Sequence, residues 1–178
     1  MGLLSPDREG PVSFDGIVSD TVAYLDALGI DRAHVIGFSD GAIAGYLLAL
    51  HHPGRIRSLV AISGNLNPSV AVPPDEMARA MPEPAVTALT NDYDRLSPDG
   101  PEHRERIFTK LMRMWHEEPD IDPAELAAVG APTLVMAGDH DGIPIDHTIL
   151  IAKSIPNAQL SIVPNASHIC SCSIAPTW

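Results

Sequence analysis

Between residues 13 and 63 the spacing of apolar positions changes period several times. From Ser13 onward Phe14, Ile17, Val18, Val22, Leu25 and Leu28 fall on one stripe at helical spacing. Ser13 is a capping residue and Gly29 closes the stripe, so an amphipathic helix with one core-facing side is expected. After a short link, His34-Val35-Ile36-Gly37-Phe38 predicts a buried strand over 34–38. Ala42 to Leu50 then predicts a helix, stopped by His51-His52-Pro53-Gly54. A short apolar run bounded by turn residues predicts a second strand over 57–63, buried on both faces.

The texture changes at residue 66. Ten of the seventeen prolines fall between 66 and 132, separating short helical stretches such as Glu76 to Met81 and the charged helix Glu102 to Glu118. Proline removes a backbone donor and breaks ladders, so an inserted helical segment over about 66–128 is expected rather than sheet. Strand-like sequence returns at 132–138, a helix follows over Asp146 to Ile155, and a fourth strand is expected at 159–164. Alternation of strand and helix predicts an α/β fold, a mostly parallel sheet covered by helices on both faces. At 178 residues, one domain over 1–178 can bury its own core.

Charge narrows the partners. Eleven Lys and Arg against twenty-three Asp and Glu give a net charge of -12, which repels nucleic acid and anionic membranes alike. No apolar run is long enough to span a bilayer, and no basic start leads into an apolar segment, so a cytoplasmic protein is expected. Cys170 and Cys172 form a lone C-x-C near the end, too little for a zinc site or a disulfide framework, and are read as thiols of a loose tail. His51 and His52 are read as last-turn histidines facing the helix dipole. His140, Asp146 and His147, with Asp139, match no ligand motif, and no metal or cofactor is expected.

The candidate chemistry lies at Gly37-Phe38-Ser39-Asp40-Gly41, a G-x-S-x-G sequence where strand gives way to helix. A serine hydroxyl becomes a nucleophile when a base takes its proton and a tight turn projects it clear of the backbone. Small residues two positions before and after, Gly37 and Gly41, allow strand and helix to approach closely. The base and its orienting carboxylate should come from the carboxyl ends of later strands. Asp139 and Asp141 follow the third predicted strand and His168 follows the fourth.

With "GFSDG", "PTLVMAGDHDGI" and "IPNAQLSIVPNASH", residues 13 to 168 resemble the α/β-hydrolase family, and are most similar to its small bacterial esterase, lactonase and haloperoxidase-like members. The resemblance implies Ser39 as nucleophile, His168 as general base and Asp141 as the acid, with Asp139 as the fallback, since the family's G-D-x-D element uses its second aspartate. It also implies that the Asp40 backbone N–H serves the oxyanion hole. The Asp40 carboxylate is expected on the helix surface, although the similar Ser-Asp-Gly element of valacyclovir-hydrolase-like relatives implies contact with a cationic substrate group. Met112, Met114 and Trp115 are expected to pack the inserted helix, with pocket lining as the alternative.

Relatives of this kind carry further strands before the first helix, a His-Gly loop with a second oxyanion donor, and a closing helix. The resemblance therefore implies a chain shortened at both ends, with the strand at 34–38 left as an edge open to association with itself or a partner. The expected function is hydrolysis of a small ester or lactone through an acyl-enzyme. Alternatives are an inactive remnant acting through edge association, and cofactor-free perhydrolysis or haloperoxidase-like chemistry with the same triad.

Overall fold

The computed structural model describes residues 10–70 and 72–169. The tail cysteines Cys170 and Cys172, and residues 1–9, lie outside the described residues. Helix α1 (Phe14–Ala27) begins where Ser13 accepts a hydrogen bond from the Gly16 N–H at 3.1 Å, satisfying one of the donors that a helix start leaves free. Gly29 follows with φ 66, a left-handed conformation suited to glycine just past a helix end. Strand β1 (Ala33–Phe38) runs into α2 (Asp40–His51), and β2 (Ile56–Ile62) follows.

Three helices, α3 (Pro74–Ala80), α4 (Glu83–Leu96) and α5 (Arg104–Glu117), connect β2 to β3 (Thr133–His140). A 3₁₀ segment, Pro123–Ala128, opened by an Asp122–Glu125 capping box, leads back to the sheet. Helix α6 (Ile145–Ser154) and strand β4 (Gln159–Ser167) complete the order. Helix α4 has no counterpart in the sequence reading. Its start is punctuated by Pro82 and Pro84, which the first turn of a helix tolerates, and none of its residues is buried.

The four strands are parallel in the order β1-β2-β3-β4, so every crossover joins immediate neighbours. Val35 pairs with Leu59, Leu59 with Thr133, and Val135 with Leu160. One sheet face carries Leu59, Ala61 and Val135 into a core with Ala42, Ile43 and Tyr46 of α2 and Ile151 of α6. Phe14 of α1 joins this core, and the Glu118 carboxylate, just past α5, accepts the Phe14 N–H at 2.8 Å.

The opposite face differs from the expectation. Among the described residues no helix buries the row Ile36, Val60 and Leu134; Ile36 is 75% exposed and its two neighbours are only partly buried. An apolar strand sequence shows that a face resists water, but it does not show what lies on that face. Strand β1 pairs with β2 alone among the described strands. No helix of the described residues is long and apolar enough to cross a membrane.

Candidate active site

Each strand of the sheet hands one polar group to the same end. Ser39 follows β1 with φ 53 and ψ -118, a strained turn that starts α2 and projects the hydroxyl away from the backbone. Its N–H donates to the Ile62 carbonyl at 2.9 Å, and its own carbonyl accepts from Ala42 and Ile43, so the turn is fixed from both sides. A Cβ added at Gly37 would lie 2.1 Å from the Gly41 carbonyl oxygen, which explains the first glycine. The second glycine does not meet the expectation: a Cβ at Gly41 would meet nothing within 4 Å, because it is the Gly41 backbone that crowds Gly37.

His168 follows β4, with Nε2 3.1 Å from Ser39 Oγ and Nδ1 2.7 Å from Asp141 Oδ1. The Phe38 ring flanks the imidazole at a centroid distance of 5.2 Å. Asp141 lies in the loop after β3 with its side chain fully buried. Burial pushes its pKa up, but hydrogen bonds from His168 and from Ser63, the charge of His168 and the Ile143 N–H together hold it below the usual carboxylate range. Asp139 points elsewhere: its Oδ1 accepts the Ala166 N–H at 3.2 Å, and its nearest imidazole is His140 at 4.0 Å.

The depressed Asp141 pKa carries a sign. Stability from this carboxylate is full above its unfolded pKa of ~3.9, and is lost as the pH falls through the lower folded value. The urea midpoint is therefore expected to fall below about pH 4, and to fall less steeply for Asp141→Asn.

A cavity of about 250 Å³ opens over Ser39 and His168. Ile43 forms part of its base, while Met77, Met81 and Trp115 reach it from the helices between β2 and β3. The sequence reading left Trp115 between packing and pocket lining; it lines the cavity, whereas Met114 is buried in the core. Trp115 Nε1 donates to both oxygens of Asp40, at 2.9 and 3.0 Å. The Asp40 carboxylate thus turns toward α5 and into the cavity wall, not out to a free helix surface. Burial raises its pKa, opposed by the Trp115 bond and the nearby His168.

Sequence reasoning missed Ser63, whose Oγ lies 2.5 Å from Asp141 Oδ2. No motif marks it, and its partner is 78 residues away. His147 is also accounted for structurally, since its Nε2 accepts the Leu66 N–H at 3.1 Å. Among the described residues no group of three or more His, Cys, Asp or Glu is placed to hold a metal ion.

Chemically, a buried carboxylate, an imidazole and a hydroxyl in a line beneath a small apolar cavity are groups that can carry out acyl transfer. The sequence profile described as the alpha/beta hydrolase family matches residues 2–175, and the chain belongs to this family. It is 30% identical over 172 residues to "Putative carbamate hydrolase RutD" of Caulobacter sp. (strain K31), covering 84% of this chain and 63% of that protein. A 2-hydroxy-6-oxo-6-phenylhexa-2,4-dienoate hydrolase of Burkholderia cepacia is 26% identical, over 93% of this chain and 70% of its own length. Among solved structures, Est816, described as an N-acyl homoserine lactone degrading enzyme, superposes with a TM-score of 0.74 at 23% identity, covering 96% of this chain and 74% of that one.

Proposed function

We propose that this chain forms a serine hydrolase site acting on a small carboxylic ester or lactone through an acyl-enzyme on Ser39. The observation that carries the reading is the unbroken line from Ser39 Oγ through His168 to Asp141, at 3.1 and 2.7 Å. An ionised carboxylate can only accept, so Asp141 places the imidazole proton on Nδ1 and leaves Nε2 to accept from Ser39. Ser39 Oγ attacks the acyl carbon as its proton passes to His168 Nε2. The oxyanion is met by the Asp40 N–H at the start of α2, where backbone donors have no partner within the helix. His168 returns the proton to the departing oxygen, then takes one from water, which attacks the acyl carbon and frees Ser39.

Within this reading residues 10–169 act as one domain, and the helices between β2 and β3 serve as a cap. Met77, Met81 and Trp115 support that role, because they place apolar surface over the nucleophile. The two named relatives are, by name, hydrolases of a carbamate and of an oxo-dienoate, both carbonyl compounds, which supports attack at a carbonyl carbon.

The test is intact-mass measurement after treatment with a fluorophosphonate, a probe that reacts only with an activated serine. One adduct is expected on the wild-type chain, and none on Ser39→Ala. An unlabelled wild-type chain, or an adduct that persists in Ser39→Ala, overturns the proposal.

A further inference from the structure

The triad acid has two oxygens, and only one faces the histidine. Asp141 Oδ1 accepts from His168 Nδ1 at 2.7 Å and from the Ile143 N–H at 3.2 Å. Oδ2 lies 2.5 Å from Ser63 Oγ, and its other neighbour is the Gly138 N–H at 3.4 Å. Ser63 immediately follows β2 and is 2% exposed. Its φ of 58 lies in the left-handed region, unusual for a residue with a side chain. The Ser63 N–H donates to the Met136 carbonyl at 2.8 Å, so the ladder to β3 extends one residue past the strand and fixes where the hydroxyl starts.

We propose that Ser63 is a positioning residue for the triad: its hydroxyl donates to Asp141 Oδ2 and keeps Oδ1 aligned on His168 Nδ1. The inference rests on the hydrolase reading for its catalytic consequence, but not for its geometry. A carboxylate free to turn about its last bond presents either oxygen to the imidazole at varying angles. Donors on both oxygens remove that freedom. Because the ionised carboxylate only accepts, the Ser63 proton must point at it. Without the hydroxyl, Oδ2 would keep a single long contact in a buried place, where an underserved charge is costly. The same bond spreads the negative charge of Asp141, which keeps the proton on the imidazole when His168 becomes charged.

The order of groups along the sheet supports this assignment. Ser39, Ser63, Asp141 and His168 follow β1, β2, β3 and β4 in turn, so β2 would otherwise be the one strand without a member in the line. The strained backbone points the same way. A glycine would hold φ 58 at lower cost, so the turn alone does not call for serine.

Two variants separate the hydroxyl from the turn. Ser63→Gly removes the hydroxyl and suits the backbone; Ser63→Ala removes it and keeps the strain. Both are expected to lower kcat about ten- to hundredfold, the loss of one hydrogen bond to a charged group, with KM within about twofold. A second readout needs no turnover. The His168 Nδ1–H resonance is expected far downfield in the wild type, from its bond to Asp141, and is expected to shift upfield or be lost to exchange in both variants.

Wild-type kcat in Ser63→Gly, or an unmoved His168 resonance, overturns the proposal. If the wild type neither turns over esters nor takes a fluorophosphonate adduct, the hydrolase reading fails, while the resonance still decides whether Ser63 positions the pair.

Discussion

Asp141→Asn is expected to lower turnover of a small aryl ester by about 10⁴-fold, whereas Asp139→Asn leaves it within a few-fold. The two aspartates stand two residues apart in one loop, and their surroundings separate their roles. Asp141 is fully buried and touches His168 Nδ1 at 2.7 Å. An asparagine there can turn its amide nitrogen toward the imidazole, which then carries its proton on Nε2 and cannot accept the one from Ser39. Asp139 accepts the Ala166 N–H at 3.2 Å, and an asparagine oxygen can still accept that bond, though more weakly than a carboxylate. The check is kcat for both variants, together with the rate of fluorophosphonate labelling. The reverse ranking would make Asp139 the acid.

Gly138→Ala and Gly37→Ala are each expected to destabilise the fold by about 3 kcal/mol or more, near the upper range for overpacking. A Cβ at Gly138 would fall 1.9 Å from the Ala166 carbonyl oxygen, and one at Gly37 2.1 Å from that of Gly41. Both obstacles are backbone, which cannot swing aside like a side chain. Relief at Gly138 would part β3 from the segment of β4 two residues before His168, so the site would open as well. Relief at Gly37 would lift the start of α2 from the end of β1, directly beneath Ser39. Gly41→Ala is the contrast: its Cβ meets no neighbour, and in a helix alanine is favoured over glycine by about 1 kcal/mol. Urea unfolding of the three variants tests the set. Equal losses at Gly37 and Gly41 would contradict the steric account.

The strands were legible in the sequence because their residues are apolar in short runs between turn residues, as in His34 to Phe38 or Thr133 to Gly138. Helix α1 was legible through its period and its Ser13 cap. The serine, aspartate and histidine read from the sequence are the ones the fold brings within hydrogen-bond range, since each follows a strand that could be located. Other features had no local signal. Helix α4 is a different case: Val86, Leu89, Tyr93 and Leu96 recur at helical spacing, but Pro82 and Pro84 at its start read as breaks rather than as a first turn. Ser63 and the Asp40–Trp115 contact join residues 78 and 75 positions apart, and neither pair has a spacing that advertises it. The uncovered row at Ile36 could not be read either, because covering a face is a property of neighbours.

The parallel sheet with neighbour-to-neighbour order makes the line of polar groups a measure of strand alignment. Ser39 and His168 are 129 residues apart, yet their separation is set by three ladders taken in succession: β1 on β2, β2 on β3, and β3 on β4. A slip that keeps each side chain on its own face must move a strand by two residues, about 6.6 Å, more than twice the 3.1 Å that joins the serine to the imidazole. Tolerance in such a stack is cumulative and discrete. A chain with one ladder misregistered can retain its helices and much of its core and still have no aligned serine. Under the proposed mechanism, reactivity at Ser39 would count molecules in which all three ladders are correctly matched, and a titration of labelled serine against total protein would report the alignment of the whole sheet.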